Sequence, residues 1–430
     1  MREMKKTGIS WFPLIPVDWQ TGRIKDILSV LTDYTANGSF GDLAKNVTYL
    51  DYEDYARLVR LTDLRESLKN MGVYVDEDGY NYLSKSSLFG GEILVANVGA
   101  YAGLFCEMPT VDYPATLAPN MFLLRTNDVM LQHYLLYVGL SSFVWEQLCQ
   151  KAISSAQPKL NKTDVKTTFI PIPPISEQKL IADYLDSKCA EFNSTLSDIQ
   201  SQIEALEEYK RSVITEVVTK GLDPDVEMRD SGVQWIGEIP THWTLIRIGS
   251  LYGLRTQKVS DIDYPPLSVT KMGVLPQLDT VAKTNAHDDR KLIVKGDFVI
   301  NSRSDRRGSC GISDYTGSVS LINTVLFPIT EMNPRYYNWY FHTVGFADEF
   351  YRWGHGIVDD LWTTGWQDMK NILISVPPLD EQQRIADYLD SKCAEIDNII
   401  TEKKQQIETI EEYKKSLIFE YVTGKKEVQA

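Results

Sequence analysis

The sequence predicts a mixed α+β protein: two globular α/β heads separated by two long helices that pair as a coiled coil, with the whole plan written twice. Three observations predict it. The eleven residues Ile-Ala-Asp-Tyr-Leu-Asp-Ser-Lys-Cys-Ala-Glu occupy positions 181–191 and again 385–395, an offset of 204. A second repeat, Ile-Pro-x-x-Trp-x-x-x-Arg-Ile, starts at Ile15 and at Ile239, an offset of 224. Behind each copy of the first repeat, apolar residues recur at heptad spacing. Self-similarity of this kind marks a duplicated architecture. The stretch between the two repeated elements is 20 residues longer in the first half and shows little identity between halves. The frame repeats and its filling does not.

Read in order, residues 1–172 form the first head. Trp11, Ile15, Pro16 and Trp19 open it, with Trp19, like Trp243 in the second head, read as a core anchor rather than a base-stacking residue. Strand-like runs cover 92–98, 121–124 and 168–172, and a helix-like run covers 131–150. The first long helix spans 173–221. Its cap is placed at Ser176, just after Pro173-Pro174, and Glu177 puts negative charge in the first turn. Leu185, Phe192, Ile199, Leu206 and Val213 lie seven apart, with Cys189, Leu196, Ile203 and Val217 four beyond members of that row. The second head, 222–376, opens on Trp235 and Trp243, holds a strand-like run at 297–300 and a helix-like run at 334–351. The second long helix spans 377–425. Asp380 is its expected cap, Leu389, Ile396, Ile410 and Leu417 form one row, and Cys393, Ile400, Ile407 and Tyr421 form the other. Lys210, Lys403 and Lys414 interrupt the seam, as residues that fix register do. Gly221 and Gly424 suit the C-terminal stops. A narrow-seamed helix of this length is poorly stable alone, so the two copies are expected to pair. Residues 426–430 are a short tail.

Composition bounds the function. A chain of 430 residues with 43% hydrophobic and 11% aromatic content is folded material in two or three units. No apolar run is long enough to cross a bilayer, and residues 1–6 are charged and unlike a signal peptide, so no membrane partner and a cytoplasmic, prokaryotic setting are expected. The five cysteines are scattered and form no CxxC pair, which speaks against a disulfide framework or a zinc site. The net charge of −15 is acidic for a nucleic-acid binder, but the two helical segments hold just over half of that excess in about a quarter of the chain. Any DNA contact must use local basic patches. There is no P-loop, no Gly-x-Ser-x-Gly elbow and no metal-ligand spacing among the histidines. Asn333-Pro334-Arg335-Tyr336 resembles the Asn-Pro-Pro-Tyr motif of amino-methyltransferases but lacks the second proline and any Gly-rich cofactor loop.

These residues resemble a family. Pro-Pro-x-x-Glu-Gln at 173–178 and 377–382, each followed by a helix beginning Ile-Ala-x-Tyr-Leu-Asp, and the twice-written Ile-Pro-x-x-Trp opening are similar to the DNA-specificity subunits of type I restriction-modification enzymes. The segment Gln157-Pro158-Lys159-Leu160-Asn161 shares in the likeness, whereas its counterpart near 362–367 departs from it. The resemblance implies that each head is a target recognition domain reading one half of a bipartite, asymmetric site on double-stranded DNA. It implies that the helices run antiparallel and set the unread gap. It also implies that two methylation subunits and two restriction subunits assemble on the chain. The chain itself then has no catalytic site, metal or cofactor, and S-adenosylmethionine, ATP and magnesium belong to those partners. The best candidate contacts lie in 301–309: Asn301, Ser302, Arg303, Arg306, Arg307 and Ser309, with three arginines in five positions. Arginine suits bidentate guanine and phosphate contact. The alternative is a solvated loop with an internal Arg–Asp305 pair. In the first head the aligned residues are Asn97 and Tyr101, joined by Lys159 and Asn161. A two-headed coiled-coil adaptor without DNA binding is the competing function. It explains the repeat and the acidity but not why the heads diverge.

Overall fold

The computed structural model describes residues 2–152, 158–277, 288–356 and 362–428, with the Ser304 side chain excepted; Gln157 and the last two residues of the tail lie outside the described residues. The chain divides into two compact units, Met1–Ile199 with Gln405–Ala430, and Gln200–Lys404. Each takes one head, the start of the long helix that head feeds, and the end of the other long helix.

In the first unit a four-stranded antiparallel sheet runs in the order Leu28–Asp33, Met121–Thr126, Ile93–Ala96, Phe105–Glu107. A second four-stranded sheet orders Tyr74–Val75, Ala56–Val59, Ala115–Leu117 and Ser87–Leu88, its one parallel pair being Ala56–Val59 with Ala115–Leu117. The ribbon Gln20–Arg23 with Phe169–Ile172 delivers the chain to Pro173-Pro174 and the long helix. In the second unit the main sheet has the same layout: Tyr252–Leu254, Asn323–Pro328, Phe298–Asn301, Cys310–Ile312. Thr244–Arg247 pairs with Leu373–Val376 just as its counterpart does. The heads part company in a three-stranded sheet, Lys258–Val259, Arg290–Ile293 and Gly317–Val319, and a hairpin, Leu267–Thr270 with Gly273–Pro276. Sequence-divergent heads thus share a frame and differ at its periphery.

Both helix-like runs of the heads are broken. Residues 131–150 make two helices, Gln132–Leu140 and Ser142–Ala152, and 334–351 makes Pro334–Phe341 and Val344–Arg352. Ser141 and Thr343 cause the breaks. Their backbones turn extended, and the Thr343 hydroxyl accepts the Phe346 N–H at 3.3 Å as a cap. Hydroxyl side chains compete with the helical ladder in this way.

The long helices are Ile175–Lys220 and Leu379–Val422. Ser176 and Asp380, the expected caps, lie inside them. The Pro174 carbonyl accepts from the N–H groups of Glu177 and Gln178, both at 3.0 Å, and the Pro378 carbonyl from Gln382 at 2.9 Å. A proline has no N–H to lose and its carbonyl can still start the ladder, so the second proline takes the cap position. Gly221 and Gly424 end the helices at φ of +81° and +67°, conformations that other residues rarely adopt.

In the first unit residues 175–199 pack on 405–422, and Ile181, Leu185, Cys189, Leu417, Ile418 and Tyr421 share one core with Trp19. In the second, Val213, Val217 and Val218 share a core with Trp243, Ile385 and Leu389. Within each unit the helical segments run antiparallel. Among the seam residues, Leu185, Ile199, Val213, Leu389, Ile396 and Leu417 are buried, while Phe192, Leu206 and Ile410 are half-buried. The seam lysines reach across to polar partners: Lys210 to Asp397 at 2.7 Å, Lys403 to Gln202 at 2.5 Å, Lys414 to Asn193 at 2.8 Å. The cysteines are free, buried or half-buried thiols whose pKa values burial raises. No helix of the described residues is long and apolar enough to cross a membrane.

Candidate nucleic-acid interface

The third strand of each main sheet leads into the candidate segment, at Asn97 in the first head and at Ser302 in the second, one residue past the Asn301 that the 204-residue offset aligns with Asn97; the Asn97 N–H donates to the Asn120 carbonyl at 3.1 Å and the Ser302 N–H to the Ile322 carbonyl at 3.3 Å. In each head the chain beyond that strand meets a segment about 60 residues further on. Val98 bridges Lys159, the Leu160 N–H donates to the Asn97 carbonyl at 2.8 Å, and the Gly99 N–H donates to Pro158 at 2.9 Å. Arg303 bridges Thr363, and the Thr364 N–H donates to the Ser302 carbonyl at 2.9 Å. The candidate segments, distant in sequence, thereby form one surface in each head.

In the first head this surface is an open cleft lined by Asn97, Asn120, Lys159, Asn161, Lys162 and the exposed Phe40, among others. Lys159 is exposed and Lys162 pairs with Asp33 at 3.0 Å. Asn161 has a further duty that its sequence context did not reveal. Its side-chain oxygen accepts the Thr163 and Asp164 N–H groups at 2.8 and 3.1 Å, capping the short helix Lys162–Lys166. Tyr101 does not line the cleft. Its ring stands exposed with the Arg65 guanidinium 4.4 Å from the centroid.

In the second head residues 301–309 fold back on themselves. The Asn301 N–H donates to Ser309 at 2.9 Å, a short 3-10 turn covers Ser304–Arg306, and Gly308 turns the chain at φ +76°. Ser309 is buried, and the Ser302 hydroxyl is held by Thr324 at 2.9 Å. Both brace the loop. The arginines face outward. Arg303 and Arg306 flank Asp305, each at 3.6 Å, with side chains 42% and 67% exposed. Arg307 pairs with Asp348 and lies 5.1 Å from the Tyr351 ring centroid. A narrow crevice behind them, with little free space, is walled by Phe350, Tyr351 and Trp362. Ion pairs this exposed are worth about 0–1 kcal/mol, so an arginine can exchange its carboxylate for a phosphate or a guanine edge at little cost. The loop therefore combines both readings: it holds internal Arg–Asp305 pairs and presents exposed guanidinium groups.

The repeated opening and the repeated Pro-Pro-x-x-Glu-Gln clamp to each other, which the sequence reading missed. The Trp19 indole N–H donates to Glu177 at 2.8 Å and that of Trp243 to Glu381 at 3.1 Å. Arg2 also pairs with Glu177, and His242 with Glu381 at 2.9 Å. The glutamates are thus anchors as well as helix-dipole charges. The identity of Glu177-Gln178 with Glu381-Gln382 was the available signal. The methyltransferase-like Asn333 is a helix cap, accepting from the Arg335 and Tyr336 N–H groups at 3.0 and 3.2 Å, and Tyr336 is buried. Among the described residues no group of three or more His, Cys, Asp or Glu side chains could hold a metal ion.

Comparison with known proteins adds an independent line. The family model described as the type I restriction modification DNA specificity domain matches residues 16–205 and again 243–409. In Methanocaldococcus jannaschii, the type I restriction enzyme MjaX specificity subunit is 26% identical across 98% of this chain and 96% of its own. The MjaVIII specificity subunit of the same organism is 24% identical across 96% and 93%. A chain solved in a study of complex assembly and conformational transition of a type I R-M system shares the fold at TM-score 0.70, with 16% identity over 95% of this chain and 99% of that one. The HsdS subunit from Thermoanaerobacter tengcongensis superposes at TM-score 0.50, with 16% identity over 95% and 98%.

Proposed function

The chain belongs to the type I restriction-modification DNA specificity family, and we propose that its two heads read the two halves of one bipartite, asymmetric site. A DNA-specificity role is the family's, and that role is generally non-catalytic; an adaptor that binds no DNA is not favoured. In this reading Arg303 and Arg306 make the second head's base and phosphate contacts, with Arg307 released from Asp348 to join them. Asn301, Ser302 and Ser309 shape that loop. Asn97, Lys159 and Asn161 face DNA across the first head's cleft, and Tyr101 meets it at the margin. Asparagine suits adenine as arginine suits guanine, so the heads carry different chemistry for different half-sites. The long helices set the gap and dock two methylation subunits, and two restriction subunits complete the complex. S-adenosylmethionine, ATP and magnesium act on those partners. The partners also supply the phosphate neutralisation that a chain of net charge −15 lacks.

One observation carries this reading: a frame repeated in sequence and in strand order, filled by two chemically unlike surfaces. An adaptor gains nothing from that combination, whereas a reader of two different half-sites requires it. Exchanging the residues between Pro240 and Pro377 for those of a relative tests it. The half of the methylated motif assigned to the second head should change while the other half stays. A change in both halves, or in neither, contradicts the assignment.

A further inference from the structure

Beyond the reading surface, each head is tied to the helix it feeds at one aspartate of the repeated Ile-Ala-Asp-Tyr-Leu-Asp, Asp186 or Asp390. The head supplies the partners from corresponding helices, Gln132–Leu140 and Pro334–Phe341. The correspondence is set by two pairs of contacts. The Gln178 side-chain oxygen accepts the Leu131 N–H at 2.7 Å, and that of Gln382 accepts the Asn333 N–H at 2.9 Å. The Tyr134 hydroxyl donates to Val422 at 3.4 Å, and that of Tyr336 donates to Val218 at 3.1 Å. Two residues beyond Leu131 and Asn333 stand His133 and Arg335; six beyond stand Tyr137 and Trp339. Tyr137 and Trp339 each donate to their aspartate, Trp339 at 2.8 Å. Arg335 bridges Asp390 at 2.6 Å and Asp387 at 2.7 Å. His133 bridges Asp186, through Nε2, and Glu107, through Nδ1, both at 2.8 Å.

We propose that His133 with Asp186, and Arg335 with Asp390, are positioning residues that lock each head onto its helix, and that the first lock opens as pH rises while the second does not. The argument is one of donors. A carboxylate accepts only, so an imidazole held between two of them must donate from both nitrogens, and only the protonated ring can. The guanidinium of Arg335 stays charged at every pH that leaves the protein folded. The groups facing His133 are Glu107 from the strand Phe105–Glu107, Asp186 from the long helix, and Tyr137 one turn on in its own helix. Cys189 lies beside Tyr137, with Lys414 of the other long helix acting on that thiol. Burial alone lowers the His133 pKa, and the bonds to Asp186 and Glu107 outweigh it, so the net shift is upward from 6.5. A group whose folded pKa is raised stabilises fully below its unfolded value and loses that contribution as pH climbs through the folded value. Above it, one hydrogen bond is gone and Glu107 and Asp186 are left without a cation between them.

The inference rests on the two-headed reading only for its consequence, a first head whose seating on its helix varies with pH. Its test therefore contains no DNA. Hydrogen exchange of the full chain is followed from about pH 5.5 to about pH 9, corrected for intrinsic rates. Protection of residues 132–140 should fall several-fold across the range, while that of 334–341 stays level. His133→Arg should abolish the step, and Arg335→His should transplant one to the second head. Parallel profiles in the two helices, or a step that survives His133→Arg, would overturn the proposal.

Discussion

Trp19 and Trp243 are among the largest fully buried side chains, and each needs an acceptor for its indole N–H. Glu177 and Glu381 supply it, so the repeated tryptophan and the repeated glutamate form one interaction made twice. Removing the acceptor leaves a buried donor unsatisfied, at about 1–3 kcal/mol. Glu381→Ala is expected to lower unfolding free energy by that amount in urea melts, and Glu381→Gln by less. Gly424 closes the second helix against the same first-head tryptophan: a Cβ there would lie 2.5 Å from the Pro16 ring and 3.2 Å from Trp19. Arg306 is the opposite kind of residue. It is exposed and held by one long ion pair, so Arg306→Ala should change stability by no more than about 0.5 kcal/mol. It should nevertheless weaken DNA binding by the methylation complex and flatten the slope of log affinity against log salt by about one. An unchanged slope would take Arg306 off the DNA.

The long helices were readable because their signal is periodic and written twice. Seven-residue spacing names the seam, and an offset of 204 pairs its two copies. Buried Leu389 should cost about 2–5 kcal/mol when cut to alanine. Lys210, half-exposed and paired with Asp397, should cost little when changed to methionine, since an ion pair this exposed contributes about 0–1 kcal/mol. The expected caps, Ser176 and Asp380, stand two residues too late, because the helical ladder begins at the carbonyls of Pro174 and Pro378. Head helices were overextended because Ser141 and Thr343 interrupt them with a local hydrogen bond that periodicity does not report. Sheets were less legible still. Strands of two to six residues carry too few alternations to declare a partner, and the shared strand order of the heads has little residue identity behind it.

The candidate site was half legible. Residue type pointed to the arginines of 303–307 and the offset pointed to Asn97, but neither indicates that 97–98 and 159–160 are neighbours, which only the folded sheet decides. For the molecule as a whole, duplication is what turns a structure into a function: the repeated frame holds two heads that need not read the same sequence. Deleting one heptad from both long helices removes about 10.5 Å of rise, about three base-pair steps. It should shorten the gap between half-sites or block assembly, and leave both half-sites as they were. The most direct test maps methylated adenines across the genome of a host carrying this chain with its methylation partner. A gapped motif of two unlike halves is the predicted result. Methylation at a continuous short motif, or at none, would contradict the account.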